Sequence, residues 1–189
     1  MNKLLEQLEV ALRKRYYGWE GAKQFEGTAD RLTRMMDEFL WTSEKIKEEL
    51  DKCFEAILVD TYDEMLISGP TKVWTLCPHH LLPCCFTVYI GYVPDKQVLG
   101  LSKFSRIAVI LGRRPVIQEM YSRELADVLW TKLEPKGIGV YVVGEHGCMT
   151  ARGVHQEGKV TTSVLRGVIM NKPESRAEFL SIVRGGNNK

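Results

Sequence analysis

The chain has 189 residues, with 26 Lys and Arg against 24 Asp and Glu for a formal net charge of +2, and 44% of its residues are hydrophobic. That length suits one domain with a substantial core, and the near-neutral balance gives no electrostatic case for nucleic acid or an acidic membrane surface. The longest apolar runs, such as Ile138 to Val143, are far too short to span a bilayer, and the charged, amphipathic start lacks a signal-peptide core, so a cytoplasmic location is expected.

Leu4, Leu5, Leu8, Ala11, Leu12 and Tyr16 recur at helical spacing and predict a first helix over 4–16 that stops at Gly18. Thr28 is the expected N-cap of a second, whose stripe Leu32, Met35, Met36, Phe39, Leu40 follows i, i+3, i+4, i+7, i+8. Ser43 is the expected cap of a third, with Ile46, Leu50, Cys53 and Phe54 on one face, where Cys53 reads as a small core residue. From about residue 57 the pattern changes to short β-rich runs: Glu64 to Ser68, Val73 to Leu76, and Cys85 to Val93. The last alternates Phe86, Val88, Ile90, Tyr92, and the adjacent Cys84 and Cys85 should point to opposite faces. Pro94-Asp95-Lys96-Gln97 reads as a hairpin turn into Val98 to Leu101.

Ser102 is the expected cap of a helix that buries Phe104, Ile107, Ala108 and Leu111 and ends at Gly112. Another runs from near Pro115 to Leu133 with Ile117, Met120, Tyr121, Leu125, Val128 and Leu129 inward. Strands are expected at 138–149 and 160–170, a final helix from Pro173 to Val183, and a fraying tail after it. The order is α+β: an antiparallel sheet with helices on one face, plus N-terminal helices. The expected organisation is a helical segment 1–56 packed on the same domain, a core 57–184 and a flexible tail 185–189. The sheet's edges must be paired or covered, and pairing between subunits would do so, which points to a homo-oligomer.

Chemistry-bearing residues are scarce and clustered. Three of the four His and two of the five Cys fall in Cys77-Pro78-His79-His80 and His146-Gly147-Cys148. An odd number of Cys without a secreted-type framework favours thiols or metal ligands over disulfides. Two Cys with one His of the pair would suit Zn²⁺ with a fourth position open for water, and the remaining His would be left to move protons. The i, i+2, i+3 spacing fits no single helix or strand face, so a turn is expected, and Pro78 agrees. By itself such a motif is equally an ordinary turn with exposed imidazoles. Ser102-Lys103 at a helix start, Arg106, Arg113, Arg114 and Arg152 form a candidate polyphosphate set, or a group of solvated charges. Glu119 in Gln118-Glu119 has the acceptor geometry for a guanine edge, although an isolated Glu there is commonly a surface residue.

Cys77-Pro78-His79-His80-Leu81-Leu82-Pro83, Gly100-Leu101-Ser102-Lys103 with Arg106, Arg114 through Gln118-Glu119, Glu145-His146-Gly147-Cys148-Met149, Arg152-Gly153-Val154 and Thr161-Thr162-Ser163 resemble, in order and spacing, the motifs of type I GTP cyclohydrolases. Thr28-Ala29-Asp30-Arg31 with Arg34 and Met35-Met36 resembles that family's N-terminal helix motif, and Glu178-Phe179-Leu180 its last helix. The resemblance implies a T-fold (tunnelling fold) enzyme, a homodecamer of two pentamers with active sites at subunit interfaces, converting GTP to 7,8-dihydroneopterin triphosphate and formate. It implies Cys77, His80 and Cys148 as zinc ligands, His79 and His146 as proton handlers, and Ser102 as a relay in the sugar rearrangement. Lys103, Arg106, Arg152, Arg31 and Arg34 would contact the triphosphate. Gln118 and Glu119, with Leu101 in the same substrate-binding set, would help to hold the rest of the nucleotide, Gln118 and Glu119 at the guanine.

Three departures stand out. Glu is usual where Pro78 stands, Pro where Ala29 stands, and the loop after Val154 carries His155-Gln156-Glu157-Gly158 in place of the common basic or amide residue; His155 reads as a loop residue. The short N-terminus implies no long regulatory extension. A nitrile-reductase-like relative acting on a 7-deazaguanine would use a nucleophilic Cys without metal and no triphosphate clamp, and a zinc-tied assembly protein would fill all four metal positions from the chain. The second Cys-His cluster, the Arg set and the spare His favour the cyclohydrolase.

Overall fold

The computed structural model describes residues 2–59, 62 and 64–185, so the tail expected to fray lies, from residue 186 on, outside the described residues. Two units divide the chain, Met1–Trp41 and Thr42–Lys189.

The first unit is a helical hairpin. α1 (Asn2–Arg15) and α2 (Thr28–Phe39) are joined through a 3-10 turn at Glu20–Phe25. Thr28 is not the cap of α2: Gly27 holds that position with φ 75° and no side-chain bond. The unpaired N–H groups at a helix start need acceptors, and Glu9 on α1 supplies both its oxygens, accepting from Gly27 N at 3.2 Å and Ala29 N at 2.8 Å. The second of these bonds needs an N–H that proline would lack. Those bonds, with the opposing effect of partial desolvation and the charges of Arg13 and Arg31, hold the Glu9 carboxyl below its ordinary value.

The second unit opens with α3 (Ser43–Phe54), capped by Thr42, whose hydroxyl accepts from Lys45 N at 3.2 Å. The expected Ser43 cap is thus one residue late. Two sheets follow. β1 (Ile57–Val59) pairs antiparallel with β4 (Gln97–Leu99). β2 (Leu66–Leu76), β3 (Pro83–Val93), β5 (Gly137–His146) and β6 (Lys159–Gly167) form an antiparallel sheet in the order β2-β3-β5-β6. The two short runs expected at 64–68 and 73–76 are one strand, β2, whose register with β3 shifts between Ser68 and Thr71. Proline cannot donate to a ladder, and the shift at Gly69-Pro70 absorbs it. No hairpin forms at 94–97, because both edges of β3 are taken by β2 and β5, and β4 pairs elsewhere.

Alternation along β3 places Phe86, Val88, Ile90 and Tyr92 toward α4 (Leu101–Leu111) and α5 (Gln118–Leu133). Phe86 stacks obliquely on Tyr121 at 5.2 Å between ring centroids and Tyr92 on Phe104 at 5.3 Å. Phe104, Ile107, Tyr121, Leu125 and Leu129 are fully buried beneath this face. The opposite face is covered at one end by α7 (Val168–Asn171) and α8 (Pro173–Gly185), through a cluster of Tyr89, Val93, Tyr141, Ile169, Phe179 and Val183. Phe179 lies on two glycines of neighbouring strands. A Cβ on Gly91 would meet its ring at 2.6 Å and one on Gly139 at 2.9 Å, so the aromatic plate needs bare backbone there. Among the described residues no helix is long and apolar enough to cross a membrane.

Candidate active site

The end of β2, the start of β3 and the end of β5 meet at one end of the large sheet, because Leu76 pairs with Pro83 and Cys84 with His146. Beyond Leu76 the chain turns through Pro78, His79 and His80 as the spacing predicted. Reciprocal bonds close this turn: Leu81 N donates to Cys77 O at 2.8 Å and Cys77 N to Leu82 O at 2.9 Å. Leu81 carries φ 52° to complete the reversal. The Pro78 nitrogen, which has no hydrogen to give, is not asked for one in this pair of bonds.

Beyond His146 the short helix α6 (Gly147–Thr150) carries Cys148 back over the turn. The result joins positions 71 residues apart in the chain. One ligand atom each of Cys77, His80 and Cys148 lie within 4.8 Å of one another, and the Cys77 sulfur is 3.7 Å from His80 Nδ1 and 3.9 Å from His79 Nδ1. Cys77 is buried, Cys148 half-buried and His80 exposed, so the cluster opens on one side. Burial and the neighbouring Cys77 sulfur push the Cys148 thiol up; a cation among them would reverse that balance, since thiolates are the metal-binding form.

The other charged and polar candidates divide into groups. Arg152 donates from Nη1 to His80 Nε2 at 2.7 Å, which puts a guanidinium beside the metal cluster. Glu119 is exposed at the start of α5, and its charge acts on His146 against the dominant effect of burial, which lowers the His146 pKa. Gln118 has a different setting from its neighbour. It is 1% exposed and bonded at both ends of its amide to protein groups, including His146 Nε2 at 2.8 Å. His155 is exposed in the turn after Arg152 and has φ 50°.

Lys103 and Arg106, one turn apart on α4, line a separate cavity of about 490 Å³ with Glu49, Lys52, Cys53 and Ser105. Leu101 and Ser102 are exposed at the start of that helix, where Gly100 rather than Ser102 is the cap residue. Arg114 is not free for an anion because it is paired with Glu124. In the first unit, Arg31 donates to Gln24 O, Glu26 O and Thr28 Oγ1, and Arg34 is exposed on the same helix. A larger cavity, about 640 Å³ between α3 and α5, is lined by Arg114 alone among the candidate residues.

Sequence reasoning missed Cys84, Gly144, Ser122 and Thr162, which touch the site from beneath. Cys84 Sγ is 3.4 Å from His146 Nδ1, and burial raises its thiol pKa to about 11. Thr162 lies within a quoted motif, but its partner Ser122 is on α5, and only the packing of α5 on β5 and β6 joins them.

The sequence profile of GTP cyclohydrolase I matches residues 19–184. The chain belongs to the GTP cyclohydrolase I family. GTP cyclohydrolase 1 of Aquifex aeolicus (strain VF5) is 42% identical over 167 residues, 88% of this chain and 86% of that one. GTP cyclohydrolase 1 of Acetivibrio thermocellus is 34% identical over 185 residues, 95% of this chain and 97% of its own length. The human GTP cyclohydrolase 1 is 42% identical over 131 residues, 69% of this chain and 52% of the human one, so the chain spans about half of that relative. As a GTP cyclohydrolase I the chain takes GTP as substrate in pterin synthesis. Its helices and antiparallel sheet form the α+β T-fold, and the Cys77, His80, Cys148 set is its candidate metal site.

Proposed function

We propose that this chain is a zinc-dependent GTP cyclohydrolase that opens the purine at C8, releases formate and rearranges the product to 7,8-dihydroneopterin triphosphate. The observation that carries the reading is the convergence of Cys77, His80 and Cys148 next to two further imidazoles and Arg152. Zinc bonds of about 2.3 Å to sulfur and 2.0–2.1 Å to nitrogen, at tetrahedral angles, put neighbouring ligand atoms about 3.6 Å apart. The Cys77 sulfur and His80 Nδ1 stand at 3.7 Å. Two thiolates, one imidazole and one open side make a catalytic donor set rather than a closed structural one. Zinc held there supplies Lewis-acid polarisation of the water that opens the ring.

The chain's own residues do the rest. His79, exposed beside the metal cluster, is placed to give and take protons as the imidazole ring of guanine opens, and His146 serves from the β5 end. Glu119 takes the N–H edge of the guanine with its carboxylate. Arg152, Lys103 and Arg106, with Arg31 and Arg34, hold the triphosphate, with Leu101 beside them, and Ser102 relays a proton in the sugar rearrangement. Binding energy from the triphosphate positions C8 without taking part in the chemistry. Lys103 and Arg106 line a cavity apart from the Cys77 cluster. A site assembled between copies, in a homodecamer of two pentamers, would let one subunit's phosphate clamp serve another's metal centre. The reading places this activity in the cytoplasm.

The test is to incubate the zinc-loaded protein with GTP and follow formate and, after oxidation, pterin fluorescence, with and without a chelator. Formation of both, lost on chelation and restored by zinc, is expected. No pterin at full zinc occupancy would overturn the reading.

A further inference from the structure

Gln118 reaches into the sheet beneath His146, and its amide can face only one way. Nε2 lies 3.1 Å from Val142 O and 2.9 Å from Val160 O, carbonyls that only accept, so that end must be the NH₂. Thr162 Oγ1, at 3.2 Å, is the longest of three contacts to this group, whose two hydrogens must be shared among them. Ser122 Oγ gives its hydrogen to Gln118 O at 2.8 Å, so across the 2.6 Å contact between the two hydroxyls it is Thr162 that donates to Ser122. Every donor and acceptor beneath His146 is thereby accounted for, in a region where Gln118 is 1% and Ser122 0% exposed.

This accounting fixes the imidazole above it. The remaining end of Gln118, Oε1, is 2.8 Å from His146 Nε2. An amide oxygen only accepts, so Nε2 carries the ring proton. A neutral His146 then has its lone pair on Nδ1, where Cys84 Sγ stands at 3.4 Å, shorter than its 3.8 Å approach to Leu82 O. The thiol hydrogen therefore serves Nδ1. Cys84 is 1% exposed and pairs directly with His146 across the β3–β5 ladder. Gly144 completes the arrangement by absence. A Cβ there would lie 2.0 Å from Gln118 Oε1 and 2.8 Å from His146 Nε2, so any side chain would occupy the space the Gln118–His146 bond needs.

We infer that Gln118 and Cys84 are positioning residues that hold His146 as one neutral tautomer, proton on Nε2 and lone pair on Nδ1, over a gap that Gly144 keeps open. Both ring nitrogens are thereby engaged, Nε2 donating to Gln118 and Nδ1 accepting from Cys84, so the ring's orientation is fixed from two sides. This positioning deepens the proposed function and rests on that reading only in giving His146 a proton to move.

The experiment is ¹⁵N NMR of histidine-labelled, zinc-loaded protein above the imidazole titration range, with the His146 signals assigned by their loss in His146→Asn. The wild type should show one neutral tautomer, protonated at Nε2. Gln118→Leu should release the preference, and so should Gly144→Ala, which keeps Gln118 but displaces its oxygen and covers the case in which Gln118→Leu fails to fold. Cys84→Ala should loosen the tautomer and Cys84→Ser, which restores a donor, should recover it. Loss of an orienting partner of a functional imidazole lowers activity about ten- to hundredfold, and kcat rather than KM should carry that loss in Gln118→Leu. A wild-type His146 protonated at Nδ1, or a tautomer unmoved by both Gln118→Leu and Gly144→Ala, overturns the inference. Normal turnover by His146→Asn would instead remove His146 from the reaction, and the tautomer signals would still decide the positioning.

Discussion

Arg152 Nη1 lies 2.7 Å from His80 Nε2, although the two residues are 72 positions apart in the chain. A guanidinium only donates, so His80 Nε2 accepts here and the ring proton sits on Nδ1, facing the Cys77 sulfur; a metal ion taken up at Nδ1 would move that proton to Nε2 and turn the guanidinium from it toward a bound anion. The proposed phosphate clamp thus abuts the proposed metal site. Arg152→Ala should raise KM for GTP about ten- to hundredfold, the range of a charge-assisted hydrogen bond, while zinc content stays full. Loss of zinc along with GTP affinity would show that Arg152 supports the metal instead.

Cys148 is the proposed ligand that reaches the cluster from α6, and its removal leaves one thiol and one imidazole on a single turn. Cys148→Ala is expected to lose bound zinc and turnover together, as read by elemental analysis and pterin fluorescence. A variant that retains both would contradict the ligand assignment.

His79 stands beside the cluster without being one of the three converging residues. In His79→Ala zinc should remain at full occupancy while ring opening falls by about two to four powers of ten, the usual worth of a general acid or base. Normal formate release would take His79 out of the mechanism.

Phe179 is fully buried on Gly91 and Gly139, which have no side chains to close over a void. Phe179→Ala should cost about 3–5 kcal/mol, measured as a shift of the denaturant midpoint. Gly139→Val should destabilise from the opposite direction, by forcing a side chain into the ring. A neutral result for either would mean that α8 does not pack on the sheet in solution.

Glu9 gives a pH dependence of known sign. Its carboxylate accepts from Ala29 N and Gly27 N, and these bonds hold its pKa below the ordinary value. The stabilisation is therefore complete above the carboxylate's ordinary range and is lost as pH falls through the lowered value. With the intrinsic pH dependence of exchange divided out, the protection of the Gly27 and Ala29 amides should fall on acidification in the wild type, whereas in Glu9→Gln it should be lower at neutral pH and nearly independent of pH. Equal exchange in the two proteins at pH 7 would refute the cap.

What the sequence determined by itself was the inventory and much of the local order. The apolar periods after Thr28, between Ser102 and Gly112, and from near Pro115 to Leu133 placed three helices, and alternation from Phe86 to Tyr92 placed β3 and its buried face, because one-sided burial writes its period into the residues. The clustering of scarce Cys and His marked the two halves of the site, and the turn at Cys77 to His80 followed from a spacing that suits neither helix nor strand. The tertiary structure decided what depends on partners far along the chain. Glu9 rather than Thr28 caps α2, because a distant carboxylate satisfies backbone donors as well as a local hydroxyl does. β4 pairs with β1, because β3 had no free edge left. Gln118 lies beneath His146, and its amide direction is fixed by carbonyls on β5 and β6 that no reading of residues 115–120 could supply. Gly144 illustrates the limit best: a glycine in a strand signals only a close approach, and the approaching group is known once α5 has packed on the sheet.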